Sequence, residues 1–172
     1  SLSGSLPVDG TIAKNVLSEV SREVQSQGWH FNTHYKVSLS RDTDNKIPLA
    51  TNIVRVEIDP RQYSKVSYDI VQRNNFLYNL AKNEDTFDTN FKDATAVYLL
   101  PFDEIPEQAK RYITIRSARI FHDRTLGANT IHKFSQEDEA KSLSILKQAE
   151  SHTGDYSIFD TPEQAYTIIR GH

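Results

Sequence analysis

The sequence predicts an α+β protein: a helical bundle with an inserted small antiparallel β lobe and an extended C-terminal tail. Three observations predict it. Apolar residues recur at helical spacing near the start, alternate in strand fashion through the middle, and return to helical spacing after about residue 103. Helices separated by strands but sharing an apolar-face design are expected to pack together and leave the strands as a lobe. The organisation read this way is residues 1–30 and 103–154 for the bundle, 31–102 for the β-rich insertion and 155–172 for the tail.

Residues 1–7 read as a lead-in, and Asp9 as an N-cap. Over residues 11–27, Ile12, Val16, Val20 and Val24 recur every four positions with Ala13 and Leu17 beside them, the pattern of an amphipathic helix. Gly28 stands where a left-handed C-terminal cap is wanted, because glycine takes positive φ without steric cost. Trp29, the only tryptophan, and Phe31 follow directly. With Gly28 they read as a structural anchor, the aromatic rings pinning the start of the β lobe against the bundle.

Residues 36–40 alternate polar and apolar, and residues 53–58 put Val54, Val56 and Ile58 opposite Ile53, Arg55 and Glu57. Asp42 to Asn45, Asp59-Pro60, Arg73 to Asn75 and Asn83 to Asp85 supply the turns of a small antiparallel sheet. Residues 94–100 predict a last, mostly buried strand. Pro106 then suits the first turn of a helix, where its missing N–H costs nothing. That helix is predicted to run to about Leu126, with Gly127 ending it, and to be central, since Ala109, Tyr112, Ile113, Ile115, Ile120 and Phe121 cover more than one face. A third helix is predicted from Ser135, with Asp138 in a capping-box position and Ala140, Leu143, Leu146 and Ala149 along one face, until Gly154 stops it. The tail mixes aromatics with Ile168 and Ile169, too apolar for a plain disordered end.

Composition narrows the function. The 172 residues suffice for one domain with a core, but the 37% hydrophobic share is lean, as in a subunit that completes its burial against partners. The formal charge of -3 gives no global pull toward nucleic acid or an anionic membrane. The absence of cysteine excludes disulfides, thiolate metal sites and thiol nucleophiles. Apolar runs are too short to span a bilayer, so no membrane association is expected and the chain reads as soluble.

The candidate chemistry is thin. His30 and His34 are four apart, but Gly28 ends the helix before them, and four residues of extended chain separate their side chains by roughly 13 Å, too far for one metal. Asp103 and Glu104 fit favourable charges at a helix entry better than an acid and base pair. No nucleophile elbow or glycine-rich phosphate loop is present. The reading is therefore not an enzyme, with no catalytic residue, no cofactor and no metal assigned. Arg116, Arg119 and Arg124, with Lys110 and Arg111, make the third-quarter helix basic. Contact with DNA is one reading. The favoured one is ion pairing with acids such as Glu137, Asp138 and Glu139 on a neighbouring helix or subunit, because aromatics do not interleave with the cations.

Five blocks carry a family resemblance: "REVQSQGWHFNT" (22–33), "LLPFDEIPEQAKRYITIRSARIF" (99–121), "EDEAKSLSILKQAE" (137–150), "GDYSIFD" (154–160) and the closing Arg170-Gly171. In this order, over nearly the whole chain, they resemble the tail tubular protein A family, the head-to-tail adaptors of short-tailed podoviruses. The resemblance implies a virion structural protein with a helical bundle and a β lobe. It implies a homo-oligomeric ring, commonly of twelve copies, between the capsid portal protein and the tail nozzle protein (tail tubular protein B), in the neck of the virion and assembled in the host cytoplasm. Genomic DNA would pass through the channel without sequence-specific binding. The ring would close the neck after packaging, support genome retention and ejection, and offer part of the surface where tail fibres attach. Family members usually have another helical segment upstream of the region matching residues 5–17, and this chain starts just before it: a shorter relative, or a chain without its first residues.

Twelve copies at -3 each would carry about -36, and a net-negative tube lets DNA slide with little adhesion. Intersubunit or partner contacts are expected from Arg116, Arg119 and Arg124, and from Tyr156, Phe159, Ile168 and Ile169 in the tail, which would dock on a neighbour, the portal or the nozzle. The competing expectation is a tail-associated hydrolase acting on cell-surface polymer.

Overall fold

A computed structural model describes residues 8–63, 68–125 and 129–159. The order is α1 (Val8–Ser26), β1 (Thr33–Leu39), β2 (Ile53–Glu57), β3 (Ile70–Arg73), β4 (Phe76–Asn79), β5 (Phe91–Tyr98), α2 (Glu107–Thr125) and α3 (Asn129–Phe159), with single 3-10 turns at His30–Asn32 and Pro60–Tyr63. The class is α+β, as the change of period predicts. Contacts divide the chain into two compact units, one made of Ser1–Val24 with Pro101–His172 and the other of Gln25–Leu100. The β unit thus takes in the end of α1, several residues before the sequence boundary at 31, because side-chain amides at 25 and 32 belong to its hydrogen bonding.

In the helical unit, the four-residue spacing puts Val16, Val20 and Val24 of α1 on a buried face. On α2, Ala109, Tyr112, Ile113 and Ser117 are buried, and the helix starts after Pro106, whose carbonyl accepts from Lys110 N at 2.9 Å. α3 packs on α2. Two sequence expectations about α3 are corrected. It begins at Asn129, six residues before Ser135, and it runs through Gly154 to Phe159, so the first residues assigned to the tail are helical. Glycine inside a helix costs only about 1 kcal/mol, too little to stop a long one. Asp9, expected as a cap, lies inside the first turn of α1. There its carboxylate still faces the positive end of the helix dipole.

The β unit holds two sheets rather than one. In the first, the order is β1-β5-β2, all antiparallel, with Val97 opposite both Thr33 and Arg55. Being central, β5 loses its alternation and buries Phe91, Ala94, Ala96 and Val97. The edge strand β1 is irregular: its register shifts between His34 and Val37, where Lys36 takes φ 57°. A bulge and a lysine on an edge both discourage pairing with another chain. The second sheet is the hairpin β3-β4, Arg73 facing Phe76 across Asn74 and Asn75. Both asparagines have positive φ, 50° and 61°, as a two-residue turn that follows strand twist requires. One apolar cluster joins the sheets, with Leu39, Ile47, Leu49, Ile53, Leu77, Phe87 and Phe91 buried in it.

Candidate functional site

The basic stripe of α2 is the charged feature the sequence singles out. Arg116 and Arg119 are three residues apart and share a helix face. Arg116 donates through Nη1 to Glu139 of α3 and through Nη2 to Glu23 of α1, each at 2.8 Å. Arg119 donates through Nε to the other oxygen of Glu139, and through Nη1 to Asp123 at 3.3 Å. Arg124 reaches Glu19 of α1 at 3.2 Å with both terminal nitrogens. Of the three acids named for this pairing, Glu139 is the one that meets the arginines. Glu19, Glu23 and Asp123 complete the set; Glu23 and Glu19 lie 93 and 105 residues from their partners, beyond the reach of sequence spacing, whereas Asp123 is four residues from Arg119 on the same helix and was legible as an i,i+4 pair.

Burial grades these pairs. The Glu139 side chain is 13% exposed and Arg119 19%, whereas Arg124 and Glu19 are 53% and 61% exposed. Burial alone would raise the Glu139 pKa, but hydrogen bonds from Arg119 and Arg116 and their charge outweigh it and hold the carboxyl below its ordinary value. Hydrogen bonding to Glu139 in turn raises the pKa of Arg119. A bidentate, half-buried guanidinium pair of this kind is geometrically specific, while the exposed Arg124 pair contributes little. Chemically, the stripe presents neutralised cations rather than a row of charges ready for phosphate.

The second feature is the corner after α1. Gly28 has φ +79° and its N–H bonds the carbonyl of Gln25 at 3.1 Å, so it ends the helix in the left-handed conformation. It is also a close-approach site, since a Cβ there would lie 2.5 Å from Arg55 Nη2. Trp29 and Phe31 are half-buried. The polar core of the corner is made by two residues the sequence reading passed over. Asn32, wholly buried, accepts from Trp29 N and donates to the carbonyls of Gln25 and Tyr98, all at 2.8 Å. Gln25, also wholly buried, donates to the Leu100 carbonyl at 3.0 Å and accepts from Leu100 N at 2.8 Å. Each amide satisfies backbone groups that would otherwise be stranded out of water. A polar residue on the apolar face of α1, one after Val24, was the available signal.

The remaining candidates fall into place. His34 lies against Tyr98 with ring centroids 4.6 Å apart, and no group of three potential ligands converges among the described residues. Asp103 and Glu104 are exposed in the turn before α2. Tyr156 and Phe159 fall on the last turns of α3, and Ile168 and Ile169 lie outside the described residues. A cleft of about 440 Å³ in the β unit is lined by Arg41, Asn45, Tyr68, Asn79, Lys82 and Asp88 among others. Several of its polar groups bond one another or the backbone: Arg41 to Asn45, Tyr68 to Asp88, Asn79 to two backbone N–H groups. No described helix is long and apolar enough to cross a membrane.

Comparison with known proteins adds the decisive finding. No curated protein matches the chain. The family model described as tail tubular protein matches residues 1–156, which takes in every element described above up to the last residues of α3. The chain therefore belongs to the tail tubular protein family and is a structural component of the phage tail.

Proposed function

We propose that this chain is the ring-forming adaptor of a short-tailed phage, twelve copies joining the capsid portal to the tail nozzle around the DNA channel. The observation that carries the reading is the family match over residues 1–156. Two physical features agree with it. The net charge of -3 per copy disfavours adhesion of DNA to the tube wall. Arg116, Arg119 and Arg124 of α2 are compensated by carboxylates of the same chain, which leaves these three without a free phosphate-binding stripe. In this reading the ring closes the neck after packaging, supports genome retention and ejection, and helps hold tail fibres. Exposed Arg124 and the outer edge of Arg116 extend their ion pairing to a neighbouring copy, and residues 156–172, with Tyr156, Phe159, Ile168 and Ile169, dock on that copy, the portal or the nozzle.

Native mass measurement of the purified chain, alone and with portal protein, tests this directly. The expected outcome is a closed assembly of about twelve copies, formed alone or on portal, in line with the closed symmetry of most homo-oligomers. It should be lost when residues 156–172 are removed. A chain that stays monomeric in the presence of portal overturns the adaptor reading, and duplex DNA affinity that collapses with salt would point to a DNA-binding neck protein instead.

A further inference from the structure

The cleft of the β unit, about 440 Å³ and within the size range of ligand sites, is built around donors that its own acceptors do not use up. Asn79 lines it and is 1% exposed. Its Oδ1 accepts from Asp69 N and Ala81 N, both at 3.1 Å, and two backbone donors on one atom settle which end of the amide is oxygen. The Nδ2 end is thereby fixed as a donor, and it donates to no described group. An amide donor so placed calls for an acceptor from outside.

Arg41 is the second unspent donor. Its Nη1 donates to Asn45 Oδ1 at 3.2 Å and to the Phe87 carbonyl at 3.1 Å, so two neutral oxygens hold the guanidinium in place without cancelling its charge. The Nε and Nη2 edge makes no bond among the described residues, and its parallel N–H groups match the two oxygens of a carboxylate. Lys82, also in the lining, meets Glu84 only at 3.6 Å with both side chains nearly half exposed, a pair that holds its charges loosely.

The acids of the cleft limit what charge a guest can carry. The Tyr68 hydroxyl donates to Asp88 at 2.9 Å, and that bond, with the charges of Lys82 and Arg41 adding to it, holds the Asp88 carboxyl below its ordinary value. Asp88 therefore stays ionised at neutral pH. With Glu84 also in the lining, a doubly charged guest meets like charges, whereas a singly charged planar one can lie on the Arg41 edge. We propose that the cleft is a receptor for a carboxylate group, held by the Nε and Nη2 edge of Arg41, the Nδ2 of Asn79 and the ammonium of Lys82. The group is either a small free carboxylate or one carried by a polypeptide. This goes beyond the adaptor reading, because the cleft lies within the β unit of a single chain.

Nitrogen–proton NMR of the full chain at neutral pH tests it, with sodium acetate and the blocked tripeptide acetyl-Ala-Glu-Ala-amide as probes and sodium chloride holding ionic strength constant. The Asn79 side-chain amide and the Arg41 Nε signal should shift saturably with a carboxylate probe. Arg41→Gln should weaken that binding about tenfold, as loss of a charged hydrogen-bond donor does, and Lys82→Gln by less. Should Arg41→Gln fail to fold, Lys82→Gln decides, since that side chain is exposed. Tighter binding of the tripeptide than of acetate supports a polypeptide source, and equal or weaker binding supports a free small carboxylate. Shifts that stay linear in concentration, binding unchanged in either variant, or inorganic phosphate binding as tightly as the better probe overturns the receptor. Ring assembly is not a readout, so failure of the adaptor reading leaves the result intact.

Discussion

The helical unit and the β unit solve the same shortage of apolar residues in opposite ways. The β unit concentrates what it has. Phe91 is wholly buried, and the rings of Tyr63, Tyr68 and Phe87 meet it edge-on with centroids 5.0, 5.3 and 5.6 Å away. Edge-to-face rings add directional attraction to area burial. The helical unit spreads its aliphatic residues along helices and laces them with guanidinium pairs. One unit gathers aromatic rings around Phe91, while the other has a half-buried charge cluster between its helices. Their responses to truncation, pH and backbone substitution should differ accordingly.

The largest expected effect is in the aromatic centre. Phe91→Ala removes the ring that three others pack on, and should cost about 3–5 kcal/mol, the usual range for a fully buried phenylalanine. Denaturant titration followed by Trp29 fluorescence measures it, because the single tryptophan lies in this unit. A loss under about 1 kcal/mol would mean that the cluster relaxes around the cavity and is not the centre of the unit.

Alkaline pH gives a smaller, conditional effect. Burial, then the hydrogen bond and charge of Asp88, raise the Tyr68 pKa to about 12. A raised pKa means that the stabilisation is fully present below the unfolded value of 10.0 and is lost as pH rises toward about 12. Tyr112 in the helical unit is shifted the same way by its own burial. The informative quantity is therefore the difference between the unaltered chain and Tyr68→Phe. The variant should show a flatter stability curve across that window, and parallel curves would remove Tyr68 from the account.

How much of this was legible in the sequence follows from range. Period and turn chemistry are local, so α1, α2, the strands near 36–40, 53–58 and 94–100 and the turn at Arg73 to Asn75 could be read, while the positive φ of Asn74 and Asn75 came only with the fold. The arginine pairing was legible as a type of interaction, and Glu139 was among the acids named. Glu23 and Glu19 were not, since 93 and 105 residues separate them from their partners. The same holds for Asn32 and Gln25, whose work is to satisfy backbone groups 66 and 75 residues away. A buried amide looks in sequence like any surface amide, and only the folded backbone shows which groups it must satisfy.

The smallest effects come from two glycines that the sequence pattern treats alike. Both stand after an amphipathic run, and both were read as helix ends. Gly28 is one: it has positive φ, and a Cβ would press on Arg55 and on Val97 Cγ2 at 3.2 Å. Gly154 is not: nothing lies within 4 Å of an added Cβ, and the helix continues past it. The left-handed conformation costs a residue with a side chain roughly 1–2 kcal/mol, so Gly28→Ala should destabilise by about that, with the Arg55 contact adding to it. Gly154→Ala should stabilise by roughly 0.5–1 kcal/mol, the helix-propensity difference. Thermal unfolding of the two variants reads opposite signs if the geometry is right. Equal signs would mean that α3 does not persist through Gly154 in solution.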